Sequence, residues 1–331
     1  MVFTRGRAAS LRANGDVKSL VSGRLVRTVP SSFLRWLIAL DPYVVAEYPK
    51  ADPQPMTIEA RLTFATQLIL EAGQLAARHF AHREALRRET KGPQDFVSIA
   101  DREVESLIRT RLAEAFPADN FLGEESGGEA GERCWVVDPI DGTNNFLRGL
   151  PLWGVSIAYT IAGEPVIGLI HLPCVGRLYS AVRAGGAWCD GMPLYASRVG
   201  DLAQATIAVG ISRRTSPDLS LPVIEMALRN GSALRCMGAC VIALAMVAEG
   251  SVDAYYEAHV QAWDCLAGIL IVREAGGRTN EVPGPLMLAR GGPLLASAPV
   301  LFDRLVGATP ARLDLTQAGE TPRGDEGSPE C

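Results

Sequence analysis

The segment Trp135–Phe146, WVVDPIDGTNNF, constrains this chain more than any other. Its apolar start, Trp135, Val136 and Val137, reads as the end of a buried strand. Asp138 and Asp141 follow, separated by Pro139 and Ile140. Pro139 is expected to stop the strand, because proline fixes one backbone angle and lacks an N–H. Both carboxylates and the Ile140 carbonyl can then converge on one point. Hard cations such as magnesium take several oxygens at about 2.0–2.1 Å, and such a set supplies them. Gly142 and Thr143 read as the opening of a helix, whose first N–H groups favour an anion. Oxygen ligands beside an anion cradle imply phosphoryl chemistry. An Asp-Gly turn that merely closes a strand is the plainer alternative.

The rest of the chain supplies the frame for that segment. Thr57 caps an amphipathic helix from Ile58 to about His82, with Leu62, Ala65, Leu68, Ile69, Ala72, Leu75 and Ala76 on one face. After a basic link at 87–93, Asp95–Val97 is a short extended piece leading into a second helix that stops at Pro117. Asp101 falls in its first turn, where an acid also suits the helix dipole. Glu124 and Glu125 sit in a Gly-rich loop, a common setting for solvated acids. Alternation across 153–161, 165–172 and 177–182, with turn residues between, predicts an antiparallel meander. From about Leu202 the rhythm changes to strand (205–209), helix (217–229), buried helix (240–249), strand (252–256) and helix (263–275). That alternation predicts an α/β second half with parallel or mixed pairing. Two halves are expected, 57–200 and 201–307.

The ends read differently. Through Lys50 there are eight Lys or Arg against three Asp or Glu, and no sustained helical period. Residues 1–55 fit an unstructured extension or sequence upstream of a start at Met56, and a mitochondrial transit peptide is the other reading. Residues 308–331, rich in Gly, Pro, Glu and Thr, are expected to be disordered. The longest apolar run of the leader, Phe33–Leu40, is interrupted by Arg35 and falls short of the roughly 20 residues of a membrane span. A formal net charge of −5 gives no nucleic-acid footprint. Neither a membrane nor a nucleic-acid partner is expected. Seven scattered cysteines fit reduced thiols and a cytoplasmic location. Cys236 and Cys240 share a possible helix face, without further ligands at zinc spacing. The four histidines, 79, 82, 171 and 259, are spread out, and no Ser-His-Asp or Cys-His set is evident.

Three blocks in order carry a resemblance: GEES at 123–126, WVVDPIDGTNNF at 135–146 and WDCLAGILIVREAGG at 263–277. With KGPQDFVSIAD at 91–101 upstream, the chain resembles the inositol monophosphatase family of magnesium-dependent, lithium-sensitive phosphatases across about 57–307. The resemblance implies an α+β sugar-phosphatase-type fold layered α/β/α/β/α, and a homodimer. It implies that Glu124, Asp138 and the Ile140 carbonyl hold one metal, and that Asp138, Asp141 and Asp264 hold a second. Asp101 and Thr143 would orient the attacking water, with Glu124 in the same catalytic set and a third, weakly held ion assisting. Five carboxylates without histidine or thiolate suit two to three Mg²⁺ ions, or Mn²⁺, rather than zinc.

Phosphate would rest on Gly142 and Thr143, and the organic part of the substrate near Asp141, Gly238, Ala239, Glu257 and Asp264. Glu257 corresponds to an acid that accepts ring hydroxyls in inositol phosphatases, its plainer reading being an exposed strand-end acid. Ala239 and Cys240 replace the Thr and Ala of a family Gly-Thr-Ala stretch, Leu266 replaces a small residue, and Asn144 a common Thr. Lys91 matches an upstream basic position, or is a surface lysine. The implied reaction is hydrolysis of a small polyol phosphate, inositol 1-phosphate first. Histidinol phosphate, a sugar phosphate or a 3′-phosphoadenosine nucleotide are the alternatives. A reading of another class is a role at the transcription machinery, which some bacterial relatives have.

Overall fold

The computed structural model describes residues 57–85, 89–92, 95–212, 214–281 and 284–309, with short strand segments nearer the N-terminus. Residues 1–53 and 54–331 cluster as separate units. In the first, 11–13 pairs with 16–18 and 20–21 with 24–25, both antiparallel. The expected disorder of 1–55 otherwise lies outside the described residues, as does that of the tail beyond 309.

The second unit begins with helix α1, Ile58–Ala81, whose N-cap Thr57 accepts the Ala60 N–H at 3.3 Å. Leu62, Ala65, Leu68, Ile69, Ala72 and Ala76 form its buried face. A ribbon of β1, Glu89–Gly92, and β2, Asp95–Val97, leads into α2, Ile99–Ala115. Next come β3, Asn120–Gly123; β4, Gly127–Gly128; β5, Arg133–Asp141; and the short helix α3, Thr143–Arg148. The expected meander follows as β6, Gly154–Ile161; β7, Glu164–Leu172; β8, Arg177–Val182; β9, Gly186–Cys189; and β10, Met192–Pro193. These strands form one eight-stranded sheet in the order β10-β9-β8-β7-β6-β5-β3-β4, with only the β3–β5 pair parallel.

The second half contains β11, Thr206–Val209; α4, Leu221–Arg229; β12, Ala233–Arg235; α5, Cys240–Ala248; and β13, Ala254–Val260. It continues with α6, Ala262–Glu274; β14, Arg278–Thr279; α7, Gly284–Arg290; β15, Gly292–Ser297; and α8, Phe302–Val306. The sheet order is β12-β11-β13-β15-β14, parallel around β11 and antiparallel around β15, so the mixed pairing holds. Helices α1 and α2 cover one face of the large sheet, α5 and α6 lie between the two sheets, and α4 and α8 pack beyond the small one. The layering is α/β/α/β/α.

The middle helix layer explains its own sequence. Between two sheets a helix has no solvent face, so α6 buries the unbroken run Cys265 to Val272 and shows no amphipathic period. Its core joins Val136, Ala158 and Ile170 of the large sheet to Tyr255, Leu294 and Ala296 of the small one. Leu266, which stands where the family has a small residue, is 1% exposed within this core. Glycine sets the spacing: a Cβ on Gly168 of β7 would lie 2.5 Å from the Ala267 carbonyl oxygen, and one on Gly268 would lie 2.4 Å from Leu244 Cδ1.

Several expectations need correction. Pro139 does not stop its strand: β5 runs through it to Asp141. Pairing with β3 ends at Val137, and the register with β6 slips between Gly154 and Ser156, where four residues of β5 face three of β6. This bulge spares the N–H that proline lacks. The helix expected over 217–229 is a 3₁₀ turn at Pro217–Leu219 followed by α4, with Pro222 in its first turn, where a missing N–H costs nothing. Glu257 lies inside β13, not after a strand. Cys236 and Cys240 share no helix, since Cys240 is the first residue of α5, and all six described cysteines are free.

Gly168→Val tests the glycine contact. Valine suits a strand, so only the clash with α6 opposes it. An overpacking cost of about 2–3 kcal/mol lowers the melting midpoint by roughly 4–12 °C for a chain of this size. An unchanged midpoint in calorimetry would show that this glycine does not set the helix–sheet spacing.

Candidate active site

The bulge at the end of β5 aims the acids. Asp138 is 1% exposed, and its Oδ1 accepts the Ile140 N–H at 2.9 Å. The Ile140 carbonyl accepts the Thr143 hydroxyl at 3.0 Å. Asp141 reaches across to the second half, where its Oδ2 accepts the Val241 N–H at 2.6 Å. Helix α5 has Ala239 as its N-cap, with no side-chain cap of its own. The Asp141 carboxylate therefore caps it from a distant strand, an anion at a helix N-terminus. That answers the absence of a threonine at 239.

Two further acids sit in the first turns of helices. Asp264 is the third residue of α6, and its Oδ2 accepts the Gln261 N–H at 2.9 Å. Asp101 is the third residue of α2 and fully buried, and its Oδ2 accepts the N–H and hydroxyl of Ser98 at 2.8 and 2.7 Å. Its Oδ1 accepts the Thr143 hydroxyl at 3.2 Å. That hydroxyl has one hydrogen, so it serves Asp101 or the Ile140 carbonyl at any instant. Glu124 follows β3, and its N–H donates to the Val137 carbonyl at 3.2 Å, which ties the Gly-rich loop to the strand just before Asp138.

Electrostatics binds these acids into one group. Burial first, then the charges of Glu124, Asp141 and Asp264, hold Asp138 well above the ordinary carboxylate range. Asp141 is also held well above it, by burial and by Asp264, against the pull of the Val241 and Cys240 N–H groups. Burial raises Asp101 against its Ser98 donors. Glu257 is pushed up to about 7 by burial, while the Tyr255 hydroxyl that bonds its Oε2 pulls the other way. Among the described residues no three acid, imidazole or thiol side chains are already closed into a metal cage. The arrangement is a field of mutually repelling oxygens whose charge a cation would relieve, and it is fit for one.

Around the acids lies a wall of close backbone. Gly142 caps α3 at φ 92°, and a Cβ there would lie 2.9 Å from the Leu152 carbonyl oxygen and 3.0 Å from Ala239 Cβ. Gly238, at φ 72°, is pressed against Asn145, whose amide nitrogen donates to Met237 O at 2.8 Å and Leu152 O at 2.7 Å. Gly238 and Ala239 thus stand beside Gly142. Sequence reasoning missed Asn145, Ser98 and Tyr255. Ser98 had a signal, since Ser-x-x-Asp before an apolar helix is a capping pattern. Tyr255 is two residues from Glu257 on one strand face, legible only once the strand is known to continue. Asn145 had none. The Lys91 side chain lies outside the described residues.

Comparison with known proteins agrees with the layered fold. A profile of the inositol monophosphatase family matches residues 58–313. An inositol-1-monophosphatase of Mesorhizobium japonicum is 35% identical over 258 residues, 76% of this chain and 97% of that protein. A protein named Nus factor SuhB from Pasteurella multocida is 34% identical over 251 residues, 74% and 94% of the two chains. The crystal structure of the extragenic suppressor protein suhB from Bartonella henselae superposes with a TM-score of 0.71 at 33% identity, covering 75% of this chain and 98% of that one. The chain belongs to the inositol monophosphatase family.

Proposed function

We propose that this chain hydrolyses phosphate monoesters of small polyhydroxylated alcohols with the help of Mg²⁺, inositol 1-phosphate being the first candidate. One observation carries the reading: Glu124, Asp138, Asp141 and Asp264 crowd together so closely that burial and mutual repulsion raise Asp138 and Asp141 well out of the carboxylate range. Glu124, Asp138 and the Ile140 carbonyl would hold one ion, and Asp138, Asp141 and Asp264 another. An all-oxygen donor set favours magnesium or manganese. When bound, such ions neutralise phosphate charge and lower the pKa of a bound water.

The remaining residues bind and orient. Asp101 takes the Thr143 hydroxyl hydrogen, which leaves Thr143 Oγ1 to accept from a water and fix its direction. The first amides of α3, at Gly142 and Thr143, suit a phosphate oxygen. Glu257, with Oε2 tied to Tyr255, supports an acceptor for ring hydroxyls. Beside Gly142, Gly238 and Ala239 offer main chain rather than a hydroxyl. Histidinol phosphate, a sugar phosphate or a 3′-phosphoadenosine nucleotide are the competing esters, and a homodimer is the expected assembly. The relative named Nus factor SuhB supports a second reading, a role at the transcription machinery alongside the phosphatase. Among the described residues no helix is long and apolar enough to cross a membrane.

Phosphate release from a panel of these esters, with and without Mg²⁺ and with Li⁺ as a challenge, tests the reading; silence across the panel would overturn it. Glu124→Gln is expected to abolish release nearly completely. Thr143→Ala lowers kcat about 100-fold if it orients the water. Glu257→Gln raises KM about tenfold for inositol 1-phosphate, from replacement of an acceptor oxygen by an NH₂, with kcat little changed.

Linkage gives a test without substrate. The folded-state pKa values of Asp138, Asp141 and Glu257 stand above their unfolded values, so the metal-free native chain binds more protons than the unfolded one. Its melting midpoint in EDTA should therefore fall as pH rises from about 5 to about 8. Excess Mg²⁺ should flatten that fall, and Asp138→Asn should lessen it. A midpoint that climbs with pH in EDTA would contradict the repulsion argument.

A further inference from the structure

Four residues along α2 from Asp101, Glu105 is 2% exposed, and the spacing puts both acids on one helix face. Glu105 Oε2 accepts the Glu125 N–H at 2.8 Å, and Oε1 accepts the Ser126 N–H at 2.7 Å. Those amides belong to the two residues that immediately follow Glu124. On the other side of Glu124, Gly123 comes so close that a Cβ would lie 2.3 Å from Glu105 Oε2. The Glu105 carboxylate therefore holds the loop by two hydrogen bonds just after Glu124 and lies against its backbone at Gly123 just before it. A carboxylate buried to this degree needs strong donors, and the two loop amides supply them.

We propose that Glu105 is the positioning residue of the cation site. It holds the 123–126 loop so that the Glu124 carboxylate stays turned toward Asp138, and it thereby sets the affinity for the divalent ion. The inference rests on the reading of Glu124 as a metal ligand. Helix α2 then governs two parts of the site at once: Asp101 acts on Thr143, and Glu105 acts on Glu124 through the loop backbone. Its hydrogen bonds go to the loop backbone.

The test uses Mn²⁺ alone as probe, titrated by electron paramagnetic resonance into the full chain without substrate. Wild type, Glu124→Gln and Glu105→Gln are compared, with melting midpoints in EDTA alongside. Glutamine at 105 keeps the shape but turns an NH₂ toward one of the two loop amides. Glu105→Gln is expected to weaken Mn²⁺ binding about 10–100-fold, the range found when groups that orient metal ligands are changed. Gly123→Ala, which crowds the same carboxylate from the loop side and removes no buried acid, should weaken it in the same direction, and decides the matter if Glu105→Gln does not fold. Wild-type Mn²⁺ affinity in a folded Glu105→Gln, whatever its midpoint, overturns the proposal, and so does wild-type affinity in Gly123→Ala if Glu105→Gln is unfolded. Equal binding by wild type and Glu124→Gln sinks the ligand reading itself, and the inference with it.

Discussion

Carboxylates that repel one another stay together only if something other than their own contacts holds each in place. Here that holder is the main chain. Asp101 takes the N–H of Ser98, Asp138 that of Ile140, Asp141 that of Val241 and Asp264 that of Gln261. Three of these amides are local to the acid they bind, and the fourth belongs to a helix a hundred residues away. Backbone donors carry no charge of their own, so they fix direction without neutralising the acid. The layered fold is what brings those amides to one place: the end of β5 and the starts of α2, α5 and α6.

The division of labour between the halves follows from this. The first half contributes Asp101 from α2, Glu124 from the turn after β3, Asp138 and Asp141 from β5, and Thr143 from α3. The second contributes Asp264 and Glu257, together with the α5 amides that Asp141 caps. The inter-sheet helices have no face turned to water, so their N-termini are anchored by packing along their whole length. Precision at the acids is inherited from the core.

Much of this was legible in the sequence, because the acids of greatest consequence sit in short blocks with their own turn chemistry. Local pattern places Asp101 in a first helical turn, Asp138 and Asp141 just after a strand end, and Asp264 at a helix start. What failed to show was long-range. Pro139 reads as a stop, yet whether a proline ends a strand depends on which neighbour needs its N–H, and the bulge against β6 removes the need. The strand bearing Glu257 reads as ending at Tyr256, because an acid straight after the apolar run Ala254, Tyr255 and Tyr256 looks like a strand end, whereas the pairing with β15 carries it on to Val260. Strands β12, β14 and β15 and helices α7 and α8 were not anticipated, being short segments whose partners decide them. The capping of α5 by Asp141 has no local signature at either end.

The absent side chain at Gly168 has a consequence for how such a site can change. Helix α6 sits against β7 at a distance that only glycine permits, and the same helix carries Asp264 at its first turn. A methyl group at Gly168, which lies two strands from β5 at the level of Val136, would press on Ala267, about one turn along α6 from Asp264, and so push on the segment that carries that acid. The acid field is therefore not a portable motif. Copying its residues onto another scaffold would reproduce the charges but not their separations, which are written in the thickness of the layers beneath them.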